Sequence, residues 1–95
     1  MVGEEKVAVH AYFGGIVQGV YFRANTKRQA ERLGLVGWVR NLPDGRVEAW
    51  VEGRRQDVGN LLEFCQHRIP AATVDAVDTA ESEPTGDYPT FEIVR

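Results

Sequence analysis

Apolar and polar residues alternate over residues 6–13, with Val7, Val9, Ala11 and Phe13 on one side and Lys6, His10 and Tyr12 on the other. A period of two marks a half-buried strand. Past Gly14-Gly15 the period changes. Phe22, Thr26, Ala30 and Leu33 recur at helical spacing, and Gly34 follows as a helix-ending glycine. Leu35–Asn41 reads as a second strand, which runs into Leu42-Pro43-Asp44-Gly45. Proline fixes φ and glycine frees it, so this is a turn. Residues 46–53 return as a strand with Val47, Ala49 and Val51 on one side. A second helix over residues 55–67 carries the stripe Val58, Leu61, Leu62 and Cys65, and Ile69-Pro70 ends it. Residues 73–80 form a further strand in which Val74 and Val77 stand three apart; a bulge or a later start would each account for that spacing. Residues 82–87 are a loop, and 91–95 a short closing strand.

The order β-α-β-β-α-β with a short terminal strand predicts an α+β, ferredoxin-like sandwich, an antiparallel sheet with two helices on one face. The other face would expose His10, Tyr12, Trp38, Arg40, Glu48 and Trp50, as amphipathic surface or as a docking patch.

Composition narrows the class. The 95 residues, 43% hydrophobic and 26% charged, suit one globular domain spanning 1–95. No run reaches the roughly 20 apolar residues of a membrane span. Met1–Lys6 lacks an apolar signal core, and the single cysteine, Cys65, fits a reducing compartment, so a cytoplasmic location is expected. The net charge of −3 argues against a nucleic-acid binder. That charge is unevenly placed. Residues 1–40 hold six Lys/Arg against three acids, and residues 41–95 hold five against eleven.

The glycine stretch Gly14–Arg23 lies in the positive half. Glycines between a strand and a helix let backbone N–H groups converge beside the positive end of the helix dipole, a recipe for holding an anion. Arg23 adds a planar, permanently charged fork. Topology then brings a distant residue near. A twelve-residue helix descends about 18 Å. A seven-residue strand climbs back about 23 Å, which returns Asn41 to the level of the loop. With one strand between strands 1 and 2, their tops lie about 10 Å apart, a gap that Arg23 and Asn41 can bridge around a small tetrahedral anion and one water.

Other candidates are weaker. His10 and His67 are single and badly spaced for a metal. Cys65 sits on an apolar stripe and reads as core. Asp44 reads as a turn residue, Thr26 as packing and Arg28 as solvated. Gln18 could touch a ligand or pack the loop.

Val17-Gln18-Gly19-Val20-Tyr21-Phe22-Arg23, with Gly37-Trp38-Val39-Arg40-Asn41-Leu42-Pro43-Asp44-Gly45-Arg46-Val47-Glu48, resembles the acylphosphatase family. The resemblance continues through Glu83-Pro84-Thr85-Gly86 and Phe91-Glu92-Ile93. It implies a βαββαβ sandwich that hydrolyses acyl phosphates to a carboxylate and inorganic phosphate, with no metal or cofactor. By the same resemblance Arg23 matches the phosphate-binding arginine and Asn41 the residue that positions the attacking water. The backbone N–H groups of Ile16, Val17, Gln18, Gly19 and Val20 match the phosphate cradle. Ile16 departs from the pattern, since many members carry a basic or polar residue there.

Three function classes follow. The first is an acylphosphatase acting as a monomer on a small-molecule acyl phosphate, without nucleic-acid or membrane partners. The second is a non-catalytic phosphate- or carbamoyl-phosphate-binding module, similar to the acylphosphatase-like domain of hydrogenase-maturation carbamoyltransferases; a chain this short favours the first. The third is a nucleic-acid module, for which Tyr12, Trp38 and Trp50 offer stacking surface but Glu48 and Glu52 the wrong charge.

Overall fold

The computed structural model describes residues 5–95; Met1–Glu4, part of the segment read for a signal core, lie outside the described residues. Its elements are β1 (Lys6–Ile16), α1 (Phe22–Arg32), β2 (Val36–Asn41), β3 (Val47–Arg54), α2 (Arg55–His67), β4 (Thr73–Ser82) and β5 (Phe91–Ile93). The expected ferredoxin-like α+β order is present. Five strands form one sheet in the order β4-β1-β3-β2-β5. As expected, one strand, β3, separates β1 from β2.

Each helix buries the stripe its spacing dictates. Phe22, Thr26 and Ala30 of α1 and Val58, Leu61 and Cys65 of α2 meet Val9, Ala11, Phe13, Val39, Val47, Ala49 and Val51 from the sheet in one core. The α1 helix ends in a Schellman arrangement. Leu35 N–H donates to Ala30 O at 2.9 Å and Gly34 N–H to Glu31 O at 3.2 Å, around a left-handed Gly34 with φ of 72°. Among the described residues, no helix is long and apolar enough to cross a membrane.

Three features differ from the sequence reading. The sheet is not wholly antiparallel: β5 pairs parallel to β2, with Gly37 opposite Phe91 and Val39 opposite Ile93. The cause is topological. The 83–90 connection crosses from one edge of the sheet to the other at the lower end, so the chain must climb beside β2, which also climbs.

Next, β1 runs three residues further than the alternation indicated, so Gly14, Gly15 and Ile16 are strand and pair with β4. The register shifts there, with Gly14 opposite Ala76 and Gly15 opposite Val74. Asp75 is thus the extra residue of a bulge, which decides between the two explanations for the Val74–Val77 spacing. Gly15 is required at that kink. Its φ is 122°, and a Cβ would lie 2.2 Å from the Thr73 carbonyl oxygen.

Finally, the second face is only partly open: His10, Tyr12, Trp38, Arg40 and Trp50 are half-buried. Glu48 and Glu52, in the middle of it, are only 5% and 3% exposed. His10 Nε2 lies 2.5 Å from Glu48 Oε2, and Arg40 Nε donates to Oε1 at 2.7 Å. Glu52 accepts from Trp50 Nε1, Thr85 N–H, Thr85 Oγ1 and Gly86 N–H at 2.6–3.1 Å. The 83–88 segment thereby folds over this end of the sheet, and Trp38 Nε1 donates to Tyr88 Oη at 3.3 Å.

Candidate active site

At the upper end of β1 the chain turns toward α1 through residues 17–21. Val17, 1% exposed, anchors the segment in the core. Residues 18–21 form successive bends rather than a hydrogen-bonded turn, so the loop's own carbonyls do not consume its N–H donors. Gly19 (φ 76°) and Tyr21 (φ 60°) both adopt left-handed backbone. Tyr21 is the N-cap of α1 and supplies no side-chain cap, and the first turn of α1 holds no acidic residue. An uncapped first turn leaves N–H donors and the positive dipole end available to an anion. Arg23, the second residue of α1, is half-buried and, among the described residues, forms no ion pair.

Asn41 closes β2, opposite Val47 at the start of β3. Its Oδ1 is buried and has no hydrogen-bond partner among the described residues. A buried carbonyl oxygen ordinarily accepts a hydrogen bond, so Asn41 Oδ1 can take a donor such as water. The turn beyond it is held by Leu42 N–H to Arg46 O (2.8 Å) and Gly45 N–H to Leu42 O (3.1 Å). Asp44 is the turn residue it was read to be: its carboxylate accepts from Arg46 N–H at 3.0 Å and Arg46 Nε at 2.9 Å. The backbone N–H of Arg46 does most to hold the Asp44 carboxyl below its ordinary pKa, and the Arg46 side chain adds to it.

Gln18 connects the two parts. Its Nε2 donates to Leu42 O at 2.8 Å and Arg46 O at 2.9 Å. Of the two roles left open for this side chain, the structure gives it packing: one amide ties the glycine loop to the turn that follows Asn41.

Between loop and turn lies a cavity of about 370 Å³ lined by Val17, Gly19, Tyr21, Phe22, Arg23, Ala24, Asn41 and Ile93. It brings together Arg23, Asn41, Val17 and Gly19 of the expected site. Ile16, Gln18 and Val20 are not among its lining residues; Ile16 belongs to the end of β1 and is 60% exposed. Ile93 was missed, because nothing in a three-residue strand signals that it will climb beside β2 and end next to Asn41. The lining contains one cation and no carboxylate, which suits a small anion. A larger cavity, about 570 Å³, opens at the opposite end of the sheet, where Lys6 and Arg54 are offset by Glu52 and Asp57; its mixed charge selects neither sign.

The remaining candidates fall where the sequence put them. Cys65 is buried in the core, where burial pushes its thiol up to about 12. Thr26 is buried, and its hydroxyl donates to Phe22 O at 2.8 Å. His67 ends α2 in solvent.

Comparison with known proteins agrees with this geometry. The family model described as Acylphosphatase matches residues 9–93. An acylphosphatase of Acaryochloris marina is 51% identical over 89 residues, covering 94% of this chain and 95% of that one. The crystal structure of the Bacillus subtilis acylphosphatase superposes with a TM-score of 0.89 at 31% identity, covering 94% of this chain and 99% of that one. Full-length HypF, in a phosphate- and nucleotide-bound form, contains a similar region: TM-score 0.84 at 26% identity, over 96% of this chain but 12% of HypF. With its sequence matched nearly end to end and its fold superposed, this chain belongs to the acylphosphatase family and has that family's hydrolytic activity.

Proposed function

We propose that Arg23 and the N–H groups of the 16–20 loop hold the phosphoryl group of a small-molecule acyl phosphate, and that Asn41 orients the water that attacks it. The observation that carries this reading is the buried, unpartnered Asn41 Oδ1 in the same cavity as Arg23. A water donating to that oxygen would satisfy it and be held beside the bound phosphorus.

The chemistry needs little more. An acyl phosphate is a mixed anhydride whose carboxylate leaves readily. Catalysis is therefore mostly positioning and charge stabilisation, with attacking and leaving oxygens in line. The arginine fork and the ring of N–H donors hold the non-bridging oxygens. The water oxygen bonds to phosphorus as the bond to the acyl oxygen breaks, and a phosphate oxygen takes the water's proton. A neutral carboxamide orients the water without repelling the phosphate, as a carboxylate would.

The N–H groups of Val17 and Gly19 are the members of the cradle whose residues line the cavity. The proposed enzyme acts as a monomer, with residues 1–95 as a single domain. A buried lone thiol at Cys65 needs no disulfide partner, in keeping with a cytoplasmic location.

The test is benzoyl phosphate hydrolysis, with a chelator present, by wild type, Arg23→Gln and Asn41→Ala. Removing one preorganised donor of this kind costs about 10²–10³-fold. Arg23→Gln is expected to lose both phosphate affinity and turnover, and Asn41→Ala mainly turnover. Full activity in both variants would overturn the site. An inactive wild type that still binds phosphate would favour a binding module of the HypF kind.

A further inference from the structure

A second cavity, about 450 Å³, adjoins the first and shares Gly19, Tyr21 and Ala24 with it. Its other lining residues are Val20, Asn25, Arg28, Pro70 and Ala71. We infer that this cavity receives the acyl group, and that Arg28 selects acyl phosphates carrying a second anionic group on the acyl side. The inference rests on the assignment of Arg23 and Asn41 made above.

In-line displacement fixes the direction in which the acyl group must lie. Water held by Asn41 approaches phosphorus from the β2 side, so the leaving oxygen points the opposite way. In the sheet order β4-β1-β3-β2-β5, the loop rises from β1, and Pro70-Ala71 leads into β4 on the side away from β2. The second cavity therefore opens where the leaving group must go. Its near walls are the small or apolar Gly19, Val20, Ala24, Pro70 and Ala71, suited to a short acyl body.

Two further observations single out this cavity. Tyr21 (φ 60°) and Ala71 (φ 65°) are the two non-glycine residues with left-handed backbone among those described, and both line it. Such conformations cost free energy and cluster at ligand sites. Tyr21 is also 80% exposed, standing as an aromatic wall at the junction of the two cavities.

Arg28 is the cavity's one charged side chain. Lys27, beside it, is engaged by Glu92 at 3.0 Å and Glu31 at 3.9 Å, whereas Arg28 forms no ion pair among the described residues. It stands one turn below Ala24, about 6 Å along α1, within reach of a carboxylate or phosphate at the far end of a short acyl chain. Arg28 is exposed, as expected of a solvated charge, and it also lines the cavity assigned to the acyl group.

The matched probes are benzoyl phosphate and 4-carboxybenzoyl phosphate, compared as a ratio of kcat/KM in wild type, Arg28→Gln, Arg28→Lys and Arg32→Gln. A partly exposed, charge-assisted contact predicts that the ratio falls about fivefold to tenfold in Arg28→Gln. The loss should lie in KM, because a distant contact binds ground and transition states alike. Arg28→Lys should restore part of it. Arg32→Gln, one turn further and outside both cavities, should leave the ratio at the wild-type value. An unchanged ratio in Arg28→Gln, or an equal fall in Arg32→Gln, overturns the inference while wild-type turnover of benzoyl phosphate keeps the underlying reading intact. A wild type inactive on both probes overturns that reading, and the inference with it.

Discussion

Replacing Gln18 by alanine removes a side chain that ties the 17–21 loop to the turn after Asn41. The bonds lost are Nε2 to Leu42 O and to Arg46 O, at 2.8 and 2.9 Å. Each carbonyl keeps a backbone partner, Gly45 N–H and Leu42 N–H respectively, so neither is left orphaned. The cost is then two ordinary neutral hydrogen bonds, about 1–2 kcal/mol together. For a domain of this size that lowers Tm by roughly 5–15 °C. The catalytic loss should be larger than this suggests. The turn retains its own bonds and keeps Asn41 in place, while the loop drifts from it, and a displacement of about 1 Å can cost on the order of 10²-fold. Thermal melts with and without inorganic phosphate, alongside kcat and KM for benzoyl phosphate, separate the two effects. Turnover should fall about 10- to 100-fold, and phosphate should stabilise the variant less than wild type, because the gain scales with RT ln(1 + [L]/Kd). Gln18→Glu should do at least as badly, since a carboxylate cannot donate to either carbonyl. A Gln18→Ala enzyme with wild-type kcat/KM and a lowered Tm would refute the coupling, leaving Gln18 a stabilising strut alone.

Other outcomes follow from the buried polar groups and the core. Burial works to raise the pKa values of Glu48 and Glu52. Hydrogen bonds outweigh it, from His10, Arg40 and Tyr12 for Glu48 and chiefly from Thr85, Trp50 and Gly86 for Glu52, so both lie below the ordinary carboxylate range. A folded-state pKa below the unfolded one gives stability that is present above the unfolded value, about 4.5, and lost as pH falls through the folded value. Glu52→Gln places an amide N–H against groups that donate; urea titrations should show it about 2–3 kcal/mol less stable at pH 7, with a smaller drop between pH 7 and pH 3 than wild type. An unchanged acid limb would show that Glu52 is not among the groups responsible. The Cys65 thiol, 2% exposed and shifted up to about 12, should resist a thiol reagent in the native protein and react once denaturant is added; native-state reaction at a free-thiol rate would contradict its burial. Phe91→Ala empties the 1%-exposed anchor of β5 and should cost about 3–5 kcal/mol in chemical denaturation. A loss under 1 kcal/mol would mean that β5 is held by its backbone pairing instead.

The alternation of Val7, Val9, Ala11 and Phe13 and the stripes of Phe22-Thr26-Ala30 and Val58-Leu61-Cys65 were enough to place strands, helices and core, because burial of one face is a local, periodic demand on sequence. The pairing of Arg23 with Asn41 was also legible, since helix rise and strand rise bring chain ends to computable heights. Several other features needed the tertiary structure, and for one reason: they depend on partners far away in the chain. The direction of β5 is set by where the 83–90 connection crosses, and that crossing is pinned by Glu52, whose burial no alternation pattern announces. The Asp75 bulge exists only in the register between β1 and β4. The Gln18 strut and the placement of Arg28 beside Pro70-Ala71 arise from packing between segments 24 to 43 residues apart, and the orphaned Asn41 oxygen from where those segments meet. Local periodicity determined which residues face inward; only the folded chain decided which buried polar atom among the described residues was left without a partner, and that atom belongs to Asn41, which lines the same cavity as Arg23.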